Sequence, residues 1–309
     1  MKWTWIHALA AALLFAGCSQ TETELRVGAS PWPGNAPFFL AADDGRLGNQ
    51  VRLVEFASET ATLQAFRNRA LDVAILTLDE AVLLASEGHA VRIAALTDIS
   101  VGAGQILARP PLGGVKALRG RRVAVESTGV GAFILAHALR QSGLTVADVE
   151  IVTLLPHEQA GEYEAGRIDA AVTHEPYAGR LRASGAQIAF STGQMDNDLI
   201  RAVVVRDTCL QDHPGRLRKL VQALYASRTA LADEATMARA ARRYGQAPAQ
   251  FGAAYAGVRP LGEADNAAYF AGGARKLLDV LAHIHEEMQI AHLIDAPVEL
   301  AQLLTRVAP

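Results

Sequence analysis

From Leu25 onward, short apolar runs rich in Val and Ile alternate with segments of helical length, the pattern of a parallel-rich sheet covered by helices. Strands are expected at Leu25–Ala29, Val51–Phe56, Asp72–Leu76, Val91–Thr97 and Gly104–Ala108, then at Arg122–Val125, Glu150–Leu154, Asp169–Thr173, Gln187–Phe190 and Ala202–Arg206. Helices fall between several of them. Ala61–Asn68 has Leu63 and Phe66 three apart, and Ala132–Gln141 sets Ile134, Leu135, Ala138 and Leu139 on one face. The class is α/β.

Element order divides the chain. One βα series runs to about Arg109, the turn-rich Pro110-Pro111-Leu112-Gly113-Gly114 interrupts it, and a second series begins at Arg122 and ends near Phe190. After Ala202–Arg206 only helices are expected. Leu71-Asp72-Val73-Ala74 and Ile168-Asp169-Ala170-Ala171 each follow a polar helix and open a strand that ends at a potential helix start. This fits a duplicated architecture, at an identity too low to define an internal repeat.

The residues before Leu25 read differently. Lys2 supplies a positive start, Ile6 to Ala16 form an apolar run broken only by His7, and Ala16-Gly17 precedes Cys18, as in a secretory signal. The run is shorter than the roughly 18 apolar residues of a membrane span, and no later segment qualifies. Leu14-Phe15-Ala16-Gly17-Cys18 also resembles the bacterial lipobox, departing from it at Phe15, where Leu is usual, with Leu14 one place early. A signal over 1–17, a lipidated Cys18 and a polar tether over 18–24 are therefore expected, which puts the protein at the periplasm or cell surface as a membrane-anchored lipoprotein. The plainer alternative is a secretory peptide cut nearby, with Cys18 incidental. If Cys18 carries lipid, Cys209 has no partner for an intramolecular disulfide and is expected as a lone thiol packed at a strand end.

Composition narrows the function. With 50% apolar and 20% charged residues over 309 positions, disorder and collagen-like structure are excluded and one large or two medium domains are expected. The 29 Lys and Arg against 32 Asp and Glu leave no positive surplus for a polyanion, so a nucleic-acid partner is not expected. Gly129-Val130-Gly131 begins like a dinucleotide fingerprint, but Ile134 stands where its third glycine belongs. His283 and His285, followed by Glu286 and Glu287, look metal-like, but the two histidines are two apart, on opposite sides of a helix, so they cannot share an ion, and a solvated helix face is expected there. Arg216, Arg218, Lys219 and Arg228 read as a helix surface. Neither a cofactor nor a metal is expected.

Four segments in order carry a family resemblance. Arg26-Val27-Gly28-Ala29-Ser30-Pro31-Trp32-Pro33-Gly34-Asn35-Ala36-Pro37-Phe38-Phe39-Leu40-Ala41 is similar to the opening strand, loop and helix of the solute-binding proteins of nitrate, sulfonate, taurine and thiamine-precursor ABC importers. The resemblance continues through Phe66 to Ala74, Gly120 to Ser127 and Gly166 to Tyr177. It implies a periplasmic-binding-protein type II clamshell with ligand between two lobes. One lobe would hold 25–102 plus 203–309, the other 109–197, with hinge crossings at 103–108 and 198–202. It also implies a small-molecule ligand, an ABC permease as partner, a monomer and no catalysis. A ligand-sensing module for a membrane signalling protein and a pyrimidine-synthase-like enzyme are the alternatives, the latter weakened by the lack of a cysteine-rich segment.

Ligands of α/β sheets bind beyond the carboxyl ends of strands, and this chain offers four such junctions. In the first, prolines stiffen the loop that places Trp32 and Asn35, and the indole would wall a pocket or pack back on its own lobe. In the second, Thr77 and Glu80 have capping-box spacing, with Thr77 and Leu78 bordering the cleft. The third, Glu126-Ser127-Thr128-Gly129, opens a helix whose N–H groups, together with the hydroxyls of Ser127 and Thr128 and the backbone of Gly129, suit a carboxylate, sulfonate or nitrate-like anion; an ordinary Ser or Thr cap is the alternative. In the fourth, Pro176 fits a first helical position. Glu175 either sits at the helix start for its charge alone or accepts from an amino or amidine group beside His174. If Glu126, Glu175 and Asp79 all faced the cleft, a bare anion would meet several like charges and a ligand of positive or amide-like polarity would fit better, so thiamine-precursor pyrimidines compete with sulfonates and nitrate, and the sequence does not choose between them.

Overall fold

A computed structural model describes residues 24–305 apart from 112, 127, 128, 197 and 198. The expected signal, Cys18 and nearly all of the tether lie outside the described residues, as do Ser127 and Thr128. The strands are β1 (Leu25–Ala29), β2 (Val51–Glu55), β3 (Val73–Thr77), β4 (Val91–Ser100), β5 (Gly104–Ala108) and β6 (Arg122–Val125). They continue with β7 (Glu150–Thr153), β8 (Ala170–His174), β9 (Gln187–Ser191), β10 (Ile200–Arg206) and β11 (Val258–Pro260). Each expected strand is present. β4 runs on to Ser100 and β10 starts early at Ile200 because both are buried up to those ends, where the chain passes between sheets. β11 was not expected. It is three residues ending in a proline, and it exists only because Val258 pairs with Ser100 at the end of β4.

Two sheets result, ordered β11-β4-β10-β3-β1-β2 and β7-β6-β8-β5-β9. Each has a parallel heart, β2-β1-β3 in the first and β7-β6-β8 in the second. Both are mixed overall, because β10 and β5 arrive from the opposite sheet and run antiparallel to their neighbours. The connections between sheets are therefore 101–103 and 192–199. Residues 104–108, expected as hinge, are instead a strand of the second sheet, and 200–202 already belong to the first.

The helices are α1 (Ala36–Asp43), α2 (Glu59–Arg67), α3 (Leu78–Ser86), α4 (Val130–Gln141), α5 (Pro156–Glu164) and α6 (Tyr177–Ala183). Beyond β10 lie α7 (Asp207–Asp212), α8 (Pro214–Ala230), α9 (Glu234–Arg243), α10 (Pro248–Ala256) and α11 (Glu263–Ile290), the last kinked at Ala271–Ala274. Among the described residues no helix is long and apolar enough to cross a membrane.

The two sheets repeat one set of contacts. Arg26, at the start of β1, donates from its backbone N–H and Nε to Asp72 Oδ2 at 2.9 and 3.0 Å, and Arg122, at the start of β6, does the same to Asp169 Oδ2 at 3.0 and 3.1 Å. The incoming strand closes each set. Arg206 N–H donates to Asp72 O at 3.1 Å and Arg109 N–H to Asp169 O at 2.8 Å. Their guanidiniums cover the Phe66 and Tyr163 rings at 4.4 and 4.0 Å. The Asp72 and Asp169 segments recur because each aspartate fastens a strand start to its neighbour.

The largest apolar cluster runs through both lobes, joining Leu78, Leu96 and Ile99 to Ile106, Ile134 and Phe190. Two positions expected on solvated helix faces are not there. Arg228 is half-buried and donates from Nη1 to Leu261 O. Glu287 is buried against Arg140 Nε at 2.8 Å, because the end of α11 packs on α4 of the other lobe. Cys209 is buried in α7, one short step past β10, where burial pushes its thiol up to about 12.

Candidate functional site

Beyond the strand ends where the lobes meet lies a cavity of about 30 Å³, lined from the first lobe by Trp32, Glu59 and Arg201 and from the second by Glu126, Ile134 and His174, among others. Each of these is held by its element. Pro33 and Gly34 open a 3-10 turn after Trp32, and Tyr244 Oη donates to Trp32 O at 2.7 Å. The indole Nε1–H donates to Asp98 Oδ1 at 2.9 Å, and Asp98, its carboxyl raised by burial, also accepts from Thr97 Oγ1 at 2.8 Å. Trp32 is 2% exposed. It both packs on its own lobe and walls the cavity, with the Arg201 guanidinium 4.5 Å above its ring and His174 edge-on at 5.6 Å.

Arg201 stands inside β10 next to its apolar stretch Ala202–Val205, where it pairs in register with Thr77 and Asp98. Its Nη2 contacts Glu59 Oε1, and both side chains are buried. Burial lowers the guanidinium to about 9, so it is charged at neutral pH. Glu59 is the first residue of α2, whose N-cap Ser58 Oγ accepts from Ala61 N–H at 3.1 Å. From the opposite lobe, Glu126 Oε2 accepts from Thr60 N–H at 3.1 Å and from Thr60 Oγ1, placing a carboxylate on the positive end of α2. Around the cavity, Glu59 Oε2, Glu126 Oε1, Thr173 Oγ1 and Arg201 Nε and Nη1 are buried without a hydrogen-bond partner among the described residues. Such atoms are rare in folded proteins; others lie elsewhere in this fold, but these five border one space.

The sequence-selected residues divide. Trp32 and His174 line the cavity. Burial lowers the His174 pKa, so the ring is neutral near pH 7, with Nδ1 2.8 Å from Glu175 O. Glu175, Asn35, Thr77, Leu78 and Gly129 do not line it. Glu175 is taken up by Gly179 N–H at 3.2 Å, by Arg182 and, across the lobes, by Gln246 Nε2 at 3.2 Å. Pro176 caps α6 and is not its first residue. Asn35 is buried and donates to Ser30 O at 3.0 Å, Leu78 belongs to the core, and Thr77 N–H donates to Glu80 Oε2 at 3.0 Å, the Glu80 half of a capping box. Gly129, at φ +84°, is pressed so near Glu80 that a Cβ there would lie 2.5 Å from Oε1. Val130 and Gly131 after it do border the cavity. Asp79 is buried away from it.

Sequence reasoning missed Glu59 and Arg201. A single arginine inside an apolar central strand was the available signal, since a buried charge demands a partner.

Two mixed sheets, each taking a strand from the other, with a cleft between them match the type II class of two-lobed periplasmic binding proteins. Residues 19–245 match the NMT1-like family, and the chain belongs to it. Among solved structures it is similar to the alkanesulfonate-binding protein SsuA from Xanthomonas axonopodis pv. citri bound to MOPS, with a TM-score of 0.79 and 19% identity over 92% of this chain and 98% of that one. The periplasmic aliphatic sulphonate binding protein SsuA from Escherichia coli gives 0.70 and 17% over 91% and 97%. The desulfurization enzyme DSZB gives 0.62 and 19% over 92% and 96%. At these identities the likeness is one of fold, and the same fold serves binding proteins and an enzyme. No curated protein matches the sequence.

Proposed function

We propose that the chain is the extracytoplasmic solute-binding component of an ABC importer, a monomer tethered through a lipidated Cys18, which captures a small polar molecule between its lobes and presents it to a permease. The supporting observation is the group of unpartnered buried polar atoms around the interlobe cavity. Two carboxylate oxygens accept and two guanidinium N–H groups donate, beside an indole and a neutral imidazole. A flat solute with amino or amide edges complements that set, which favours the thiamine-precursor pyrimidine class over nitrate or a sulfonate. The cavity lies between the two lobes, so a solute enters and leaves as they part about the crossings between the sheets.

Transport without chemistry fits the same cleft. Cys209, the described cysteine, is buried outside it with its thiol pushed up to about 12, unsuited to act as a nucleophile. Trp3 and Trp5 lie in the expected signal, so in the processed chain Trp32 is the sole indole and its fluorescence reports the cleft. Titrating that chain with 4-aminopyrimidines, taurine, methanesulfonate and nitrate, followed by fluorescence and calorimetry, is expected to show binding with a change in Trp32 emission for the pyrimidines. If none of the solutes binds, the proposal fails.

A further inference from the structure

Arg201 is the guanidinium that lines the cavity among the described residues, yet it does not stand there as a bare positive charge. Glu59 reaches it from the first turn of α2 and is held in place by Ser30 Oγ, which donates to Glu59 Oε1 at 3.3 Å. Only 2% of Arg201 and 3% of Glu59 is exposed, so water screens neither and their charges largely cancel for anything entering the cavity. Glu126 adds a second carboxylate from the opposite lobe, anchored by Thr60. One guanidinium thus faces two carboxylates, and a nitrate or sulfonate that met the free Nε and Nη1 would do so against a net negative lining.

We infer that Glu59 sets the charge selectivity of the cleft: paired to Arg201 it excludes small anions, and loss of its charge converts the same guanidinium into an anion site. This rests on the solute-binding reading above. It differs from a structural role for Glu59, which predicts loss of binding for every solute when the pair is broken, whereas charge selectivity predicts a gain for one class. The anion would take the place of the Glu59 carboxylate as the partner of Arg201, in the bidentate geometry guanidinium offers.

The test uses nitrate, methanesulfonate and cytosine as probes, at fixed ionic strength, on the processed wild type, Glu59→Gln and Glu59→Gln/Arg201→Gln, with thermal melts as the check on folding. Nitrate and methanesulfonate are expected to bind Glu59→Gln at least tenfold more tightly than wild type, and the double variant to lose that gain. Micromolar binding of either anion by wild type, or a folded Glu59→Gln without the gain, overturns the inference. Should Glu59→Gln not fold, wild type decides alone: anion binding overturns the inference, and cytosine binding with both anions excluded supports it. The solute-binding reading fails separately, when wild type takes none of the probes. An anion gain in Glu59→Gln supports the inference even then, and with neither result both fall.

Discussion

Trp32 shows what one residue discloses before a structure is in hand. Prolines on both sides and a position just past a strand are local features, so its place at the cleft was legible in the sequence. Its anchoring was not, because Asp98 and Tyr244 lie far along the chain. Glu59 and Arg201 failed for a related reason. Glu59 looks like an ordinary first-turn acid, and only the fold brings Arg201 to it. The anchoring makes two predictions. A Cβ on Gly34 would lie 2.6 Å from Trp32 Nε1 and 2.7 Å from Asp98 Oδ1, so Gly34→Ala displaces the indole and is expected to weaken solute binding at least tenfold by calorimetry. Asp98→Ala strands the indole N–H and the Thr97 hydroxyl in the core, and urea unfolding should show a loss of about 1–3 kcal/mol.

Among the elements, the strands were the most legible, since each is a short β-branched run bounded by turns, and the capping box at the head of α3 was read from Thr77 and Glu80 alone. The surroundings of that box were not readable, because α4 of the other lobe seals it. Burial raises the Asp79 carboxyl, and burial together with the Asp79 charge raises that of Glu80. Between the ordinary carboxyl range near pH 4 and neutrality, the native head of α3 therefore holds more protons than the unfolded chain. Stability drains from this source as pH rises through that window. The urea midpoint is expected to fall between pH 5 and 7.5, and Asp79→Asn to flatten the fall. Asp169 acts oppositely. Hydrogen bonds from Arg122 lower its pKa, so its contribution is present above the ordinary carboxyl range and is lost as pH falls through the lowered value. Asp169→Asn removes that contribution and is expected to raise the unfolding midpoint pH in an acid titration followed by circular dichroism; an unchanged midpoint would show that the contribution is absent.

For the molecule as a whole, the two βα series predicted two lobes, while the mixing of the sheets lay hidden because strand direction is set by which lobe the chain comes from. The lobes are held together by the shared apolar cluster and by a few polar contacts: Thr60 with Glu126, Gln246 with Glu175, and Arg140 with Glu287. Arg140→Ala leaves Glu287 buried beside His137 at 3.5 Å without its strongest partner. The closed arrangement should become less populated, seen as a larger radius of gyration in solution scattering without solute and a weaker apparent affinity.

The way each sheet takes a strand from the other has a consequence for biogenesis. The second sheet is built from 104–191 without interruption, whereas the first is split until β10 slides between β3 and β4. A growing chain can therefore complete the second sheet first, leaving the first unsettled until β10 arrives. Pulsed deuterium labelling during refolding should show amides of β6 and β8 sheltered before those of β1 and β3.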